Sequence, residues 1–152
     1  MISIQAGGLD DQQVQQLLVE HLADMYATSP AESVHALDLD ALRAPGMGFW
    51  SAWEDGVALG CGALKTLNES DVELKSMRTS AAARGKGVGT TMLLHLLDEA
   101  RRRGATRVLL ETGPQDFFAP ARRLYERHGF SVRGPFADYV EDPYSCFYEL
   151  TL

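Results

Sequence analysis

Apolar residues recur along this chain with two different periods, and Gly, Pro and Asp positions separate one periodic segment from the next. Spacings of three and four predict amphipathic helices, whereas alternation or a short apolar run predicts a strand. The resulting order is one strand, two helices, three consecutive strands, a helix, a strand, a helix and two final strands. This order predicts an α/β (α+β) fold in which a mixed sheet carries helices on both faces.

The first half of the chain is predicted to hold four strands and two helices. Ile2 and Ile4 alternate with polar residues, as in a short strand. Asp10 or Asp11 can cap a helix that ends at Ser29-Pro30. The apolar stripe of this helix consists of Val14, Leu17, Leu18, His21, Leu22 and Met25. The remaining segments are a short helix over 37–43, strands over 49–53 and 57–64 joined by a tight turn at 54–56, and a strand over 71–79.

The second half begins with the most regular helix of the sequence. Its apolar stripe starts at Val88 and ends at Ala100, and three arginines followed by Gly104 complete the helix. Cations at the carboxyl end oppose the helix dipole, and glycine beyond that end is a common terminator. The other predicted segments are a strand over 106–112, a helix over 120–128, and strands over 130–133 and 145–151 around a loop at 134–143.

Composition places the chain among ordinary globular proteins, with 152 residues, 45% hydrophobic positions and 23% charged positions. We expect one domain over residues 1–152. The net charge of −7 argues against nucleic acid as a partner. The charge is uneven, since residues 1–76 carry −9 and residues 77–152 carry +2. The basic side suits an anionic ligand, although uneven solvated charge is the simpler interpretation.

The two cysteines, Cys61 and Cys146, form no CxxC motif and no Cys/His cluster. Reduced thiols and no metal site are therefore expected. The N-terminal residues show no basic segment followed by an apolar one, and no apolar run approaches the ~18 residues of a membrane span. We therefore expect a cytoplasmic protein with no membrane partner.

The segment from Arg84 to Gly89 places three glycines in five residues between a predicted strand and the most regular helix. Glycines allow a tight turn and a close approach of backbone amides, and the helix N-terminus adds unpaired donors and partial positive charge. This predicts a diphosphate site, with a plain connecting turn as the alternative. A Rossmann motif would need glycine at Thr90, and a P-loop would need Ser or Thr after Lys86, which Gly87 follows instead.

The same segment, Arg84-Gly85-Lys86-Gly87-Val88-Gly89, matches the Arg/Gln-x-x-Gly-x-Gly/Ala signature of the GNAT superfamily of N-acetyltransferases. Residues 121–130 resemble a second family segment, Ala-x-x-Leu-Tyr-Glu-x-x-Gly-Phe, and segments 49–54, 60–65, 73–79 and 135–139 resemble the bacterial YsnE-like subgroup. The resemblance covers nearly the whole chain. It implies the GNAT fold, a mixed, mostly antiparallel central sheet of six or seven strands in which a splayed strand pair holds acetyl-CoA.

The resemblance also implies which residues bind acetyl-CoA. Backbone amides would hold the pyrophosphate, at Gly85, Lys86, Gly87, Val88, Gly89 and Thr90. The side chains of Arg84 and Lys86 would add positive charge. The strand residues Met77, Arg78 and Thr79 would border the pantetheine, and the Met77 amide would polarise the thioester carbonyl, whose oxygen gains negative charge in the transition state.

One position departs from the family pattern. Phe118 stands where the family often has a cofactor-contacting Asn, and Gln115 is only a weak substitute for it.

Two residues are candidates for proton transfer. In the family a tyrosine at the position of Tyr125 contacts the cofactor and protonates the leaving thiolate, and its structural alternative is a core residue beside Leu124. Glu73 lies eleven residues before Arg84, where some family members place a strand glutamate that accepts the proton of the amine. The alternative for Glu73 is a surface carboxylate paired with Lys75, two residues along the same strand face.

The acceptor side is less determined. A pocket for a cationic amine is predicted from Trp50, Trp53, His35, Asp138 and Tyr139. Trp50 and Trp53 lie on opposite faces of one strand, so at least one of them is expected to be core packing.

Arg78 and Lys75 favour a different acceptor, one that bears a carboxylate. His21, His95 and His128 are expected to be structural.

The expected activity is transfer of an acetyl group from acetyl-CoA to a primary amine, on a small molecule or a peptide, by direct attack in a ternary complex without a metal. The first alternative is a non-catalytic sensor that binds acyl-CoA. The second is a nucleotide-binding enzyme that uses the glycine loop, which the spacings above disfavour. A homodimer is compatible with the family, and no segment of the sequence requires one.

Overall fold

A computed structural model describes all residues from Met1 to Leu152. Seven strands form one sheet in the spatial order β1-β2-β3-β4-β5-β7-β6. The strands are β1 (Ser3–Ala6), β2 (Met47–Glu54), β3 (Val57–Thr66), β4 (Asp71–Thr79), β5 (Arg107–Thr112), β6 (Ser131–Arg133) and β7 (Cys146–Thr151). The β4–β5 pair is parallel and every other pair is antiparallel. The expected mixed, mostly antiparallel sheet is confirmed.

Four α-helices accompany the sheet in the predicted order: α1 (Gln12–Thr28), α2 (Leu39–Leu42), α3 (Val88–Arg102) and α4 (Ala119–Arg127). Asp11, and not Asp10, caps α1, because its carboxylate accepts from the amides of Gln13 and Val14. The second helix is shorter than the predicted 37–43 segment. None of the helices combines the length and the apolar character that a membrane crossing requires.

The helices cover both faces of the sheet, as predicted. On one face α3 and α4 pack on the largest apolar cluster, which includes Leu64, Leu74, Met92, Leu96 and Leu110. On the other face α1 and α2 cover a second cluster, which includes Val14, Leu17, Leu42, Phe49 and Ala63. Strand β4 lies near the middle of the sheet, so its end is enclosed by helices from both sides.

The parallel strands β4 and β5 pair only along part of their length. Pairing starts at Asp71 opposite Arg107 and ends at Leu74 opposite Leu110. Both strands continue beyond this point, to Thr79 and Thr112, without further pairing. We call this opening the fork, defined by residues 75–79 of β4 and 111–112 of β5. It corresponds to the splayed pair that the family resemblance implies.

A β-bulge in β4 bends the strand at the fork. Opposite β3, the register passes from Ala63–Lys75 to Cys61–Arg78, which leaves Ser76 and Met77 together against one residue. Ser76 takes the left-handed conformation, with φ of 54°, which is costly for a residue that carries a Cβ. Bulges bend a strand and redirect its side chains, and they are frequent beside active sites. The bulge therefore explains why β4 leaves β5 here.

Candidate active site

Two adjoining cavities meet at the fork. The first, which we call the loop cleft, has a volume of about 510 Å³ and lies between the end of β4, the loop at 83–90 and α4. The second, which we call the inner cavity, holds about 110 Å³ between β4, β5, the end of α1 and the loop before β7. Six residues border both: His21, Met25, Met77, Phe118, Ala121 and Tyr125. A ligand that spans the two cavities would pass these residues.

The glycine loop forms the floor of the loop cleft. Gly85 and Gly87 both have φ of +82°, a conformation that disfavours any side chain. The first hydrogen bond of α3 runs from the Thr91 amide to the Gly87 carbonyl, at 3.0 Å. The amides of residues 88–90 therefore precede the helical ladder and have no acceptor within the helix. Free amides at a helix N-terminus form a site that suits an anion such as a phosphate.

The charged side chains that line the loop cleft are all cationic. Arg78, Arg84 and Arg127 line it, and no Asp or Glu is among its lining residues. All three come from the half of the chain with a net charge of +2. Arg127 is absent from the sequence prediction, although its place two residues after Tyr125 on a short helix was an available signal. The cleft therefore suits a polyanion.

Most of the residues predicted to bind the cofactor lie together at this cleft. They are Met77, Arg78, Thr79, Arg84, Gly85, Gly87, Val88, Gly89, Thr90 and Tyr125. Lys86 differs, because it is exposed and borders neither cavity. Its side chain therefore adds no charge to the lining.

The departure at Phe118 has a structural consequence. Phe118 borders both cavities, and Phe117 packs edge-on against it with ring centroids 5.0 Å apart. Gln115 does not replace the missing family Asn at the cleft. Its side-chain amide donates to the Thr28 carbonyl at 3.0 Å and to the Ser29 hydroxyl at 2.9 Å, so it ties the end of α1 to the loop before α4. The loop cleft is therefore lined by the Phe117 and Phe118 rings at the position where the family often has an Asn side chain.

Glu73 lies in the inner cavity within a three-residue hydrogen-bonded group. The Tyr139 hydroxyl donates to Glu73 Oε2 at 2.5 Å, and Lys75 Nζ donates to the same oxygen at 3.2 Å. Lys75 Nζ also donates to the Tyr139 oxygen at 2.8 Å. The predicted alternative of a Lys75 partnership is correct, but Glu73 is only 2% exposed and is not a surface carboxylate. Tyr139 is thus a partner of Glu73.

Glu111 is a second carboxylate of the inner cavity and is absent from the residues predicted from the sequence. It is the first residue of β5 after the paired segment ends at Leu110. Burial raises the pKa of Glu111 to about 7 from its ordinary value of 4.5, against the opposing effects of the Ser145 hydroxyl and of Lys75. A strongly shifted carboxyl in a cavity is typical of functional sites. No sequence motif marks this residue, because its burial depends on where β4 and β5 separate.

Tyr125 projects from α4 to the boundary of the two cavities and is 6% exposed. Burial raises the pKa of its hydroxyl, and the nearby Glu111 carboxylate raises it further. The phenol therefore keeps its proton at every physiological pH. Tyr125 also packs on Phe130 in the main core, so the expected core contact and the expected site position are both present.

The predicted acceptor residues divide into two groups. His35 and Tyr139 border the inner cavity and contact each other edge to face, with ring centroids 4.9 Å apart. Trp50, Trp53 and Asp138 border neither cavity. The structure therefore does not bring these three residues to the site.

Packing and exposure explain these three positions. Trp50 belongs to the main core, where its ring packs against His95 with ring centroids 5.6 Å apart. Trp53 packs on the face of the sheet that α1 covers. The two tryptophans therefore lie on opposite faces of the sheet, as expected. Asp138 is exposed.

His21 also departs from its expected structural role. It projects from α1 and borders both cavities. Burial lowers its pKa to about 4, and the positive charge of Arg78 contributes in the same direction. His21 is therefore neutral at physiological pH and presents an uncharged imidazole to the site.

Comparison with known proteins agrees with this geometry. The sequence model of the acetyltransferase (GNAT) family matches residues 14–130. The chain is 51% identical to an uncharacterised N-acetyltransferase of Bacillus subtilis, YsnE, over 95% of both chains. A Klebsiella pneumoniae protein named as an acyl-CoA N-acyltransferase superposes with a TM-score of 0.80 at 28% identity, covering 100% of this chain and 98% of that one.

A more distant structure adds a ligand to the comparison. The PaiA N-acetyltransferase of Thermoplasma acidophilum, solved in complex with coenzyme A, superposes with a TM-score of 0.76 at 17% identity. The alignment covers 100% of this chain and 99% of that one. At this identity the likeness shows a shared fold.

Proposed function

Because the chain belongs to the acetyltransferase (GNAT) family, we propose that it transfers an acetyl group from acetyl-CoA to a primary amine by direct attack in a ternary complex. The observation that carries this proposal is the fork itself. It joins a cleft lined by cations and free amides to a cavity lined by carboxylates, and Tyr125 stands at the boundary. One ligand can enter from each side, and the reacting atoms would meet at the six shared residues.

The loop cleft fits acetyl-CoA as the donor. The pyrophosphate would lie on the amides of Gly85 and of residues 87–90, with Arg84 and Arg127 supplying countercharge. The Lys86 amide instead donates to the Ala83 carbonyl at 3.2 Å. The pantetheine would extend along Met77 to Thr79, where β4 has no strand partner on its β5 side. The coenzyme A complex of the Thermoplasma relative supports the same ligand class.

The inner cavity favours a cationic acceptor over one that bears a carboxylate. Lys75 is already paired with Glu73. Arg78 is paired with Asp24 at 2.5 Å and lies 3.8 Å from Glu20. Neither Lys75 nor Arg78 is therefore free to bind a carboxylate. The inner cavity contains two carboxylates, Glu73 and Glu111, and a single cation, Lys75. The excess negative charge suits an ammonium group.

Tyr125 is suited to protonate the leaving thiolate. The coenzyme A thiolate is a strong base compared with the leaving groups of activated esters, so a proton donor at the sulfur assists breakage of the C–S bond. Because burial raises the pKa of the Tyr125 hydroxyl, this donor stays protonated until the thiolate forms. Both Glu73 and Glu111 line the inner cavity, so the amine has two carboxylates there as candidate proton acceptors.

A thiol-release assay over a panel of primary amines, with acetyl-CoA as donor, tests this proposal. We expect release of coenzyme A that depends on at least one amine, and an acetylated amine in equal amount by mass spectrometry. Binding without turnover for every amine would favour a non-catalytic sensor of acyl-CoA. A calorimetric titration with CoA, ATP and NAD separates the remaining alternative, because a nucleotide enzyme would bind ATP or NAD more tightly than CoA.

A further inference from the structure

Glu111 lies at the branch point of the fork. Leu110 makes the last pairing contact with β4, and Glu111 follows it into the opening. Leu109 lies on the face of the sheet opposite the main core, in a cluster with Phe136 and Phe147. Since side chains alternate along a strand, Glu111 lies on the same face as Leu109. Glu73 is paired with Leu109 in register, so the two carboxylates share one face and one cavity.

We propose that Glu111, rather than Glu73, accepts the proton of the incoming ammonium group. This inference rests on the proposed acetyl transfer and assigns the proton acceptor of that reaction. It is carried by three observations: the different partners of the two carboxylates, the charges that surround Glu111, and its place in the cavity that Tyr125 also borders.

Glu73 is already committed to partners within the protein. Its Oε2 accepts from both Tyr139 and Lys75, and the Lys75 ammonium balances its charge. Hydrogen bonds to a charged group are stronger than those between neutral groups, so the Glu73 carboxylate is held in place by Tyr139 and Lys75. Glu73, Lys75 and Tyr139 therefore form a fixed part of the cavity lining in which the two opposite charges balance. Glu111 takes part in none of the ion pairs of the structure, so its charge is free for a ligand.

The surroundings of Glu111 keep it ready to accept a proton near neutral pH. Burial opposes its ionisation and raises its pKa to about 7. The most effective proton acceptors have a pKa near the working pH. The titratable and charged groups that face it are Glu73 and Lys75 from β4, Tyr125 from α4, Cys146 from β7, and Tyr139 and Asp142 from the loop before β7. Lys75 is the single cation of this set, and Glu73 is its partner.

The proton inventory of the reaction then balances within the site. The ammonium gives one proton to the Glu111 carboxylate, and the neutral amine forms the new C–N bond at the thioester carbonyl carbon. The C–S bond breaks, and the thiolate takes the proton of the Tyr125 hydroxyl. The nitrogen loses its second proton to the Tyr125 phenolate, directly or through water. Glu111 releases its proton to solvent, and the products are the amide, the thiol and one proton.

The pH profile of kcat/KM for the amine tests the assignment. The ammonium form of the amine binds, so the ionisation of the amine affects the profile only near its own pKa of about 10. In the wild type we expect kcat/KM to rise with pH and to level off above about pH 7, as Glu111 ionises. Glu111→Gln should lower kcat/KM about 100-fold or more and remove this rise. Glu111→Asp should keep the rise at a lower rate.

Two further variants serve as controls. Glu73→Gln should retain the rise near pH 7, even if its rate falls. Glu126→Gln changes a carboxylate that accepts from Tyr148 outside both cavities, and its profile should match the wild type. If Glu111→Gln keeps the rise and Glu73→Gln loses it, Glu73 is the acceptor and the assignment is wrong.

An infrared titration makes the test independent of turnover. The difference spectrum between wild type and Glu111→Gln, both saturated with CoA, isolates the C=O stretch of the protonated Glu111 carboxyl. We expect this band to disappear with a midpoint near pH 7, and n-butylammonium chloride should shift the midpoint downwards. A midpoint near the ordinary value of 4.5, or no response to n-butylammonium, overturns the assignment. Absence of thiol release in the wild type would instead contradict the proposed acetyl transfer.

Discussion

The Tyr139 hydroxyl donates a 2.5 Å hydrogen bond to the carboxylate of Glu73, although 66 positions of chain separate the two residues. Tyr139 belongs to the loop between β6 and β7, and Glu73 belongs to the paired part of β4. The contact closes that loop over the inner cavity and fixes the position of the Glu73 side chain. It also explains the unusual hydroxyl of Tyr139, whose pKa is raised by burial and by the charge of Glu73.

Removing the Tyr139 hydroxyl should weaken binding of the acetyl acceptor, the amine, and leave binding of CoA unchanged. Tyr139→Phe leaves the buried Glu73 with one donor fewer, which should cost about 1–3 kcal/mol of unfolding free energy. We expect KM for the amine to rise severalfold and the Kd for CoA to stay within about twofold. Urea denaturation, steady-state kinetics and calorimetry measure the three quantities. Tyr26→Phe, at an exposed position of α1, is the control, and equal losses in both variants would contradict a specific role for Tyr139.

Tyr125→Phe should separate chemistry from binding. The ring is part of the main core, and phenylalanine preserves that packing. We expect kcat to fall about 100-fold because the leaving thiolate loses its proton donor. The Kd for CoA, measured by calorimetry, should change little. An unchanged kcat would remove the assigned role, and a large rise in Kd would indicate a binding role in its place.

The glycine loop allows a matched pair of substitutions. Gly87 has φ of +82° beside the loop cleft, and Gly56 has φ of +76° in the turn between β2 and β3, away from both cavities. Alanine in this conformation costs about 1–2 kcal/mol at either position. We expect similar losses of thermal stability in Gly87→Ala and Gly56→Ala. The Kd for CoA should rise about tenfold in Gly87→Ala alone, and an equal rise in both would show that the effect is global.

Glu111 should also influence stability as a function of pH. Its pKa rises from 4.5 to about 7 on folding, so between these values the folded state binds more protons than the unfolded chain. The wild type should therefore lose stability as pH increases through this window, by about 2–3 kcal/mol relative to Glu111→Gln.

His21 changes the stability of the fold with pH in the direction opposite to Glu111. Its pKa of about 4 in the folded protein lies below its ordinary 6.5, so it destabilises the fold as pH falls through that range. His21 is present in both proteins, and its contribution cancels in the difference. Urea denaturation from pH 4.5 to 8 measures this difference. A constant difference over the range would show that Glu111 titrates normally.

Much of the fold and half of the site followed from the sequence alone, because these features depend on short-range chemistry. The apolar periods determined the order of helices and strands, since each element buries one face. The glycines at 85 and 87, with the helix that follows, determined a loop with positive φ values and free amides, because these are local properties. Tyr125 was predicted from the resemblance of residues 121–130 to a family segment.

The remaining features were decided by the tertiary structure. Glu111 lies half-buried in the inner cavity, outside any ion pair, only because the pairing of β5 with β4 ends at Leu110, beside the β4 bulge. Tyr139 reaches Glu73 only because the last loop folds back over β4. Trp50 resembled a ligand-binding aromatic in the sequence and is a core residue, since the strand face that carries it packs on α3. Burial, pairing and charge balance of a side chain depend on neighbours that are distant in sequence, and the sequence pattern around a residue does not contain them.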